Sequence, residues 1–136
     1  MSASPVETVR AFLAIWSEGP EAIYRALYDY LAPGCVYENI GLSRTVGPAE
    51  AHACFAAFGP MKNCLRLDVE ILAIAADGDR VLVERIDRVI EHDGRETMAA
   101  PVMGIFEVKS GRITAWRDYF DTIPFASQQH PGSTRD

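Results

Sequence analysis

The sequence predicts an α+β domain in which helices pack on one face of a curved, mostly antiparallel sheet. Apolar residues recur at helical spacing up to Phe58, then alternate with polar ones at period 2 from Leu65 onward. Asp77-Gly78, Asp93-Gly94 and Ser110-Gly111 follow as turn signals spaced for long hairpins. Helices first and a strand meander after them is the α+β order. At 136 residues the chain has the length of one domain, which can bury roughly two-thirds of its unfolded surface.

Each element has its own signal. Ser4-Pro5-Val6-Glu7 combines a capping residue, proline at the first helical position and a glutamate three residues after the cap. Val9, Phe12, Leu13 and Trp16 then form an apolar stripe that Gly19-Pro20 ends. Ile23, Leu27, Tyr30 and Leu31 repeat the spacing in a second helix, expected to stop at Pro33-Gly34. Cys35 to Ile40 is a short β-prone run. Pro48 opens a third helix, rich in Ala and Phe, that ends at Gly59-Pro60. Four strands follow, near 65–76, 80–92, 95–109 and 112–121. Pro101 implies a bulge or an edge in the third of these. The domain is expected over residues 1–126, with a loose polar tail over 127–136.

Composition narrows the function. Hydrophobic residues make up 49% and charged residues 24%, the balance of a soluble globular protein. Thirteen Lys and Arg against 19 Asp and Glu give a net charge of -6, which repels phosphate backbones and anionic membranes. The start carries neither a basic nor an apolar leader segment, and the longest apolar run, Ala99 to Phe106, is too short to span a membrane. Cys35, Cys54 and Cys64 lack metal-ligand spacing and suggest small buried hydrophobes in a reducing, cytoplasmic compartment. His52, His92 and His130 are isolated, and no nucleophile elbow or phosphate-binding glycine loop occurs. Neither a metal nor another cofactor is expected.

Three strands break the apolar pattern. One strand face carries Val81, Val83, Arg85, Asp87 and Val89, so two charges interrupt a core-leaning row. In the last strand Asp118 stands between Trp116 and Phe120, and the early strand places Tyr37 and Asn39 on a common face. Burying a charge is costly unless it is paired, and an arginine with two carboxylates can compensate one another. For any one of these residues a structural ion pair plus a solvated face is the more ordinary explanation, and periodicity does not show whether the three strands converge.

Val36-Tyr37-Glu38-Asn39-Ile40, Glu84-Arg85-Ile86-Asp87 and Trp116-Arg117-Asp118-Tyr119-Phe120-Asp121 together resemble the signature segments of the limonene-1,2-epoxide hydrolase family. Gly104-Ile105-Phe106 and Gly111-Arg112-Ile113-Thr114 extend the similarity, which covers most of the chain as far as Phe125. The resemblance implies the cone-shaped fold of the nuclear-transport-factor-2-like and SnoaL-like superfamily. There the strongly curved sheet is mixed, the N-terminal helices pack on its concave side, and a homodimer is usual. Some members carry a longer N-terminal arm than this chain does.

The resemblance also implies a chemistry: addition of water to a small apolar epoxide, giving a vicinal diol without a covalent intermediate. Asp118 would be the general base, Asp87 the general acid and Arg85 the bridge between them. Tyr37 and Asn39 would hold the attacking water. Opening an epoxide requires one group to take a proton and another to give one, and two carboxylates sharing a proton supply both. Val89, Ala100, Val102, Trp116 and Phe120 share the faces of these residues and are expected to line the pocket. Phe58, Met61 and Phe125 are expected to close its mouth. The alternatives are an isomerase and a non-catalytic apolar-ligand-binding module on the same fold. An isomerase has no use for the Arg85 bridge, and a binding pocket gains nothing from a buried arginine and two aspartates.

Overall fold

Ser4 fixes the start of the first helix by two reciprocal hydrogen bonds: Glu7 N donates to its Oγ at 3.1 Å, and its own N donates to Glu7 Oε1 at 2.9 Å. In this computed structural model, which describes residues 3–126, α1 spans Pro5–Ile15. A 3₁₀ turn, Trp16–Glu18, leads to Gly19 at φ 106°, whose missing Cβ would stand only 2.9 Å from the carbonyl oxygen of Leu65. Proline then opens α2, Pro20–Tyr30, and α3 is Gly47–Ala57. The tail expected over 127–136, and His130 with it, lies outside the described residues.

The second helix stops at Tyr30, earlier than Pro33-Gly34. From Leu31 the chain is extended as β1, Leu31–Asn39. Proline biases the residue before it away from helical backbone and lacks a ladder N–H, so Pro33 and Gly34 fall in an irregular stretch between the paired residues Leu31 and Val36. A turn through Gly41 at φ 81° then returns the chain as β2, Ser43–Val46, paired antiparallel with β1. No sequence signal anticipated β2: its four residues are too few and too polar to show a period.

The remaining strands are β3, Cys64–Asp77; β4, Arg80–Glu91; β5, Glu96–Lys109; and β6, Arg112–Tyr119. They form one sheet in the order β2-β1-β6-β5-β4-β3. All neighbours are antiparallel except β1 and β6, which run parallel, so the sheet is mixed. It is curled but not closed. Register shifts at Ile71/Ala73, Val89/Ile90 and Glu107/Val108 mark the irregularities that bend long strands. Pairing of β5 with β6 ends at Met103, so Pro101 sits where β5 has only β4 beside it, the edge its residue type demands.

The helices cover the inner face. Val9, Phe12, Leu13, Ile23 and Leu27 are buried against Val81, Val83, Phe106 and Ile113 of the sheet. Phe12 stands edge-on to Trp116, ring centroids 5.3 Å apart. Burying each such side chain is worth about 1.5–3 kcal/mol. The outer face carries cross-strand ion pairs, such as Arg88 with Glu70 at 2.9 Å and with Glu96 at 3.3 Å, interspersed with exposed apolar residues. Among the described residues no helix is long and apolar enough to cross a membrane.

Candidate active site

On β4, alternation carries Arg85 and Asp87 to the inner face with Val81, Val83 and Val89. On β6 the same rule turns Trp116 and Asp118 inward. Between these strands lies β5, whose Gly104 is the register partner of both Val83 and Asp118. Arg85 therefore has to cross β5 to reach Asp118, and it crosses over the one residue without a side chain. A Cβ at Gly104 would lie 2.8 Å from Asp118 Oδ1 and closer still to Arg85 Nη1.

The guanidinium bonds along two of its edges. Nε donates to Asp87 Oδ1 at 2.9 Å and Nη2 to Asp87 Oδ2 at 3.2 Å. Nη1 donates to Asp118 Oδ1 at 3.1 Å and Nη2 to Asp118 Oδ2 at 2.7 Å. Arg85 is wholly buried, Asp87 is 8% exposed and Asp118 4%. Both carboxylates strongly hold the arginine proton, and its charge is permanent. Desolvation raises the pKa of Asp87 despite its contact with Arg85, and the charge of Asp118 adds to the rise. One proton on Asp87 leaves the trio without net charge, which lowers the penalty of its burial. A third donor reaches Asp118 alone: Trp116 Nε1 stands 2.9 Å from Oδ1.

The parallel pairing of β1 with β6 supplies the rest. Tyr37 lies opposite Trp116, and Asn39 opposite Asp118. The Tyr37 ring stacks on the Trp116 indole at 4.0 Å, and its hydroxyl donates to Asn39 Oδ1 at 3.4 Å. Burial and the charge of Asp118 hold that hydroxyl protonated far above the usual tyrosine range. Asn39 Nδ2 donates to Ser43 Oγ at 3.0 Å, so β2 fixes the amide that β1 presents.

These groups end at an apolar pocket that is open to solvent on one side. Tyr37, Asn39, Asp87 and Asp118 reach its wall, as do Phe58, Met61, Ala100, Val102, Phe120 and Phe125. The Phe58 and Phe125 rings stand in that wall with centroids 5.2 Å apart. Val89 and Trp116 are not in the wall. Both are wholly buried: Val89 belongs to the core beneath it, and Trp116 is enclosed by Tyr37, Phe106, Phe12, Trp16 and Phe55. Strand alternation says which residues turn inward, not which of them the helices cover. Trp16, Leu42, Cys54, Phe55, Leu67 and Met98 complete the wall, and the sequence did not single them out for it. Trp16, Phe55 and Leu67 stood in ordinary helix and strand stripes, Leu42 in a turn. Cys54 is thus a pocket residue and only half-buried, while Cys35 and Cys64 are buried. Among the described residues no cluster of three or more His, Cys, Asp or Glu side chains could hold a metal ion.

The family described as the limonene-1,2-epoxide hydrolase catalytic domain matches residues 3–130. The chain belongs to this family. It is 41% identical over 114 residues to the epoxide hydrolase EphG of Mycobacterium tuberculosis, a match covering 83% of this chain and 70% of that protein. It superposes on the structure of a limonene-epoxide-hydrolase-like epoxide hydrolase from M. tuberculosis with a TM-score of 0.71. That pair is 31% identical and covers 96% of this chain and 92% of the other. A SnoaL-like protein of the polyketide-cyclase kind from Jannaschia sp. CCS1 superposes at 0.70 over 93% of this chain and 92% of its own, with 19% identity. That last likeness shows the fold alone. The protein is an epoxide hydrolase of the limonene-1,2-epoxide hydrolase type.

Proposed function

We propose that this epoxide hydrolase opens small apolar, cyclic or terpene-like epoxides to vicinal diols in one step, with water as the nucleophile. The observation that carries the reading is a single buried guanidinium bridging two carboxylates on the wall of an apolar pocket. Asp118 acts as the base. It lies beside Tyr37 and Asn39, whose hydroxyl and amide are held by each other and by Ser43 and so offer fixed sites to a water. Asp87 acts as the acid, and the burial that favours its protonated form supports the assignment.

In the proposed step a water hydrogen-bonded to Tyr37 and Asn39 gives a proton to Asp118 as its oxygen forms a bond to an epoxide carbon. The carbon–oxygen bond on the far side of that carbon breaks, and Asp87 protonates the departing ring oxygen. One proton has entered the pair and one has left, so net charge is unchanged, and transfer between the carboxyls resets the site. Phe58, Met61, Ala100, Val102, Phe120 and Phe125 form the binding surface, which favours an uncharged, compact substrate.

The reading extends to the protein's surroundings. Leu72, Met103 and Tyr119, 50%, 38% and 43% exposed, support a homodimer formed through the outer sheet face. The charge of -6 disfavours nucleic acid and anionic membranes as partners, and three unpaired thiols suit the cytoplasm. The test is turnover of limonene oxide, cyclohexene oxide and styrene oxide in ¹⁸O-labelled water with enzyme in excess. Labelled diol in the first turnover, lost in Asp118→Asn and in Asp87→Asn, is the expected result. An unlabelled first-turnover diol reveals a covalent ester and overturns the mechanism.

A further inference from the structure

We infer that Trp116 is a positioning residue for the proton transfer, its indole N–H directing both the negative charge and the incoming proton within the carboxylate pair. The inference rests on the hydrolytic reading above and starts from an asymmetry between two carboxylates that share one arginine. Asp87 receives two donors, both from Arg85, one on each oxygen. Asp118 receives three: Arg85 Nη1 and Trp116 Nε1 on Oδ1, and Arg85 Nη2 on Oδ2.

A carboxylate oxygen has two acceptor positions, so Oδ1 of Asp118 is filled and Oδ2 keeps one open. Indole N–H only donates, so with Arg85 Nη1 it takes both lone pairs of Oδ1, and a proton there would have to displace one of the two donors. Trp116 thereby bars a proton from Oδ1. The proton taken from water goes to Oδ2, and between turnovers the pair's single proton rests on Asp87, where neither oxygen has a second donor. The role is one of geometry behind the pocket, since Trp116 is wholly buried and absent from the wall. Its ring is held by Tyr37, which stacks on it at 4.0 Å, and by Phe12, which meets it edge-on. The ionisable groups around the pair are Arg85 and Asp87 from β4, Tyr37 from β1 and Cys54 from α3. Gly104 of β5 contributes none.

The experiment compares the wild type with Trp116→Phe and with Trp116 replaced by β-benzothienylalanine, which keeps the indole's shape and lacks its N–H. With the proton no longer directed to Oδ2, both variants should lose about ten- to a hundredfold in kcat with little change in KM. The acid limb of the rate profile should move to higher pH in both, because the pair accepts a proton more readily without the donor. Phe106→Leu, which loosens the same aromatic stack and keeps the N–H, should melt earlier with its pH limb in place. In the wild type the Trp116 Nε1–H proton resonance should shift along the acid limb. Diol formation by the benzothienyl protein with an unmoved limb overturns the inference while the hydrolase reading stands. Wild-type protein that makes no diol overturns both.

Discussion

Replacing Gly104 by alanine adds one methyl group at the most confined point of the site. In an ordinary strand the backbone term favours alanine by about 0.4–1 kcal/mol, because alanine restricts the unfolded chain and Gly104 does not occupy the left-handed region. Here the new carbon stands 2.8 Å from Asp118 Oδ1 and nearer to Arg85 Nη1, whereas carbon and a polar atom meet comfortably near 3.5 Å. Asp118 is part of β6 and cannot retreat far, so the guanidinium must move by roughly an ångström. It is wholly buried and held by four hydrogen bonds, so the displacement stretches or breaks the two to Asp118. Separating a buried ion pair costs about 3–5 kcal/mol. In a chain of this size that lowers Tm by about 10–20 °C. An ångström of misplacement at a reacting group costs about a hundredfold in rate. Thermal melting by circular dichroism and diol formation at saturating epoxide measure the two effects. An alanine variant that melts at or above the wild-type temperature and turns over normally would refute the claim that Arg85 reaches Asp118 over Gly104.

Other consequences follow from the hydrogen-bond partners. Ser43→Ala removes the acceptor that fixes Asn39 Nδ2 at 3.0 Å. It should lower kcat about three- to tenfold with KM within about twofold, and Ser43→Thr should restore most of the rate; an unchanged kcat removes β2 from the site's support. Asp87 has its folded-state pKa above the ordinary aspartate value of 3.8, so between those two values the folded protein binds more protons than the unfolded chain. Its contribution to stability is complete below the unfolded value and is lost as pH rises through the folded one. Urea unfolding at a series of pH values should show Asp87→Asn gaining on the wild type across that window and running parallel to it above; a difference that is flat or of opposite slope contradicts the shift.

How much of this was legible in the sequence depends on the range of the interaction involved. Ser4 and Pro48 act on backbone within a turn of themselves, so two helix starts stood in the sequence, and Gly19-Pro20 marked the break between α1 and α2. The hairpins of β3 to β6 are joined by Asp77-Gly78, Asp93-Gly94 and Ser110-Gly111, and pairing between successive strands follows from turn chemistry alone. Asp118 joins Arg85 across a strand neither belongs to, and Tyr37 joins Trp116 through a parallel pairing between the first strand and the last. No local pattern encodes either contact. Resemblance to a family named those residues, and periodicity alone stopped at three interrupted strand faces.

The misplacement of Trp116 and Val89 has the same origin and carries a lesson about function. Both turn inward by alternation, and a curled sheet roofed by helices has inner residues of two kinds. Near α1 the roof is solid: Phe12 lies on Trp116, and the indole becomes a wall behind the carboxylate. Farther along β5 and β4 the roof withdraws, and Asp87, Ala100 and Val102 face open space. The boundary between the two regions falls at Asp118, which takes its donors from the packed side and meets the pocket on the other. A base placed there would be held rigid by a core and would still keep the acceptor position that Arg85 and Trp116 leave open. A carboxylate deeper in would lack the opening, and one nearer the mouth would lack the donors.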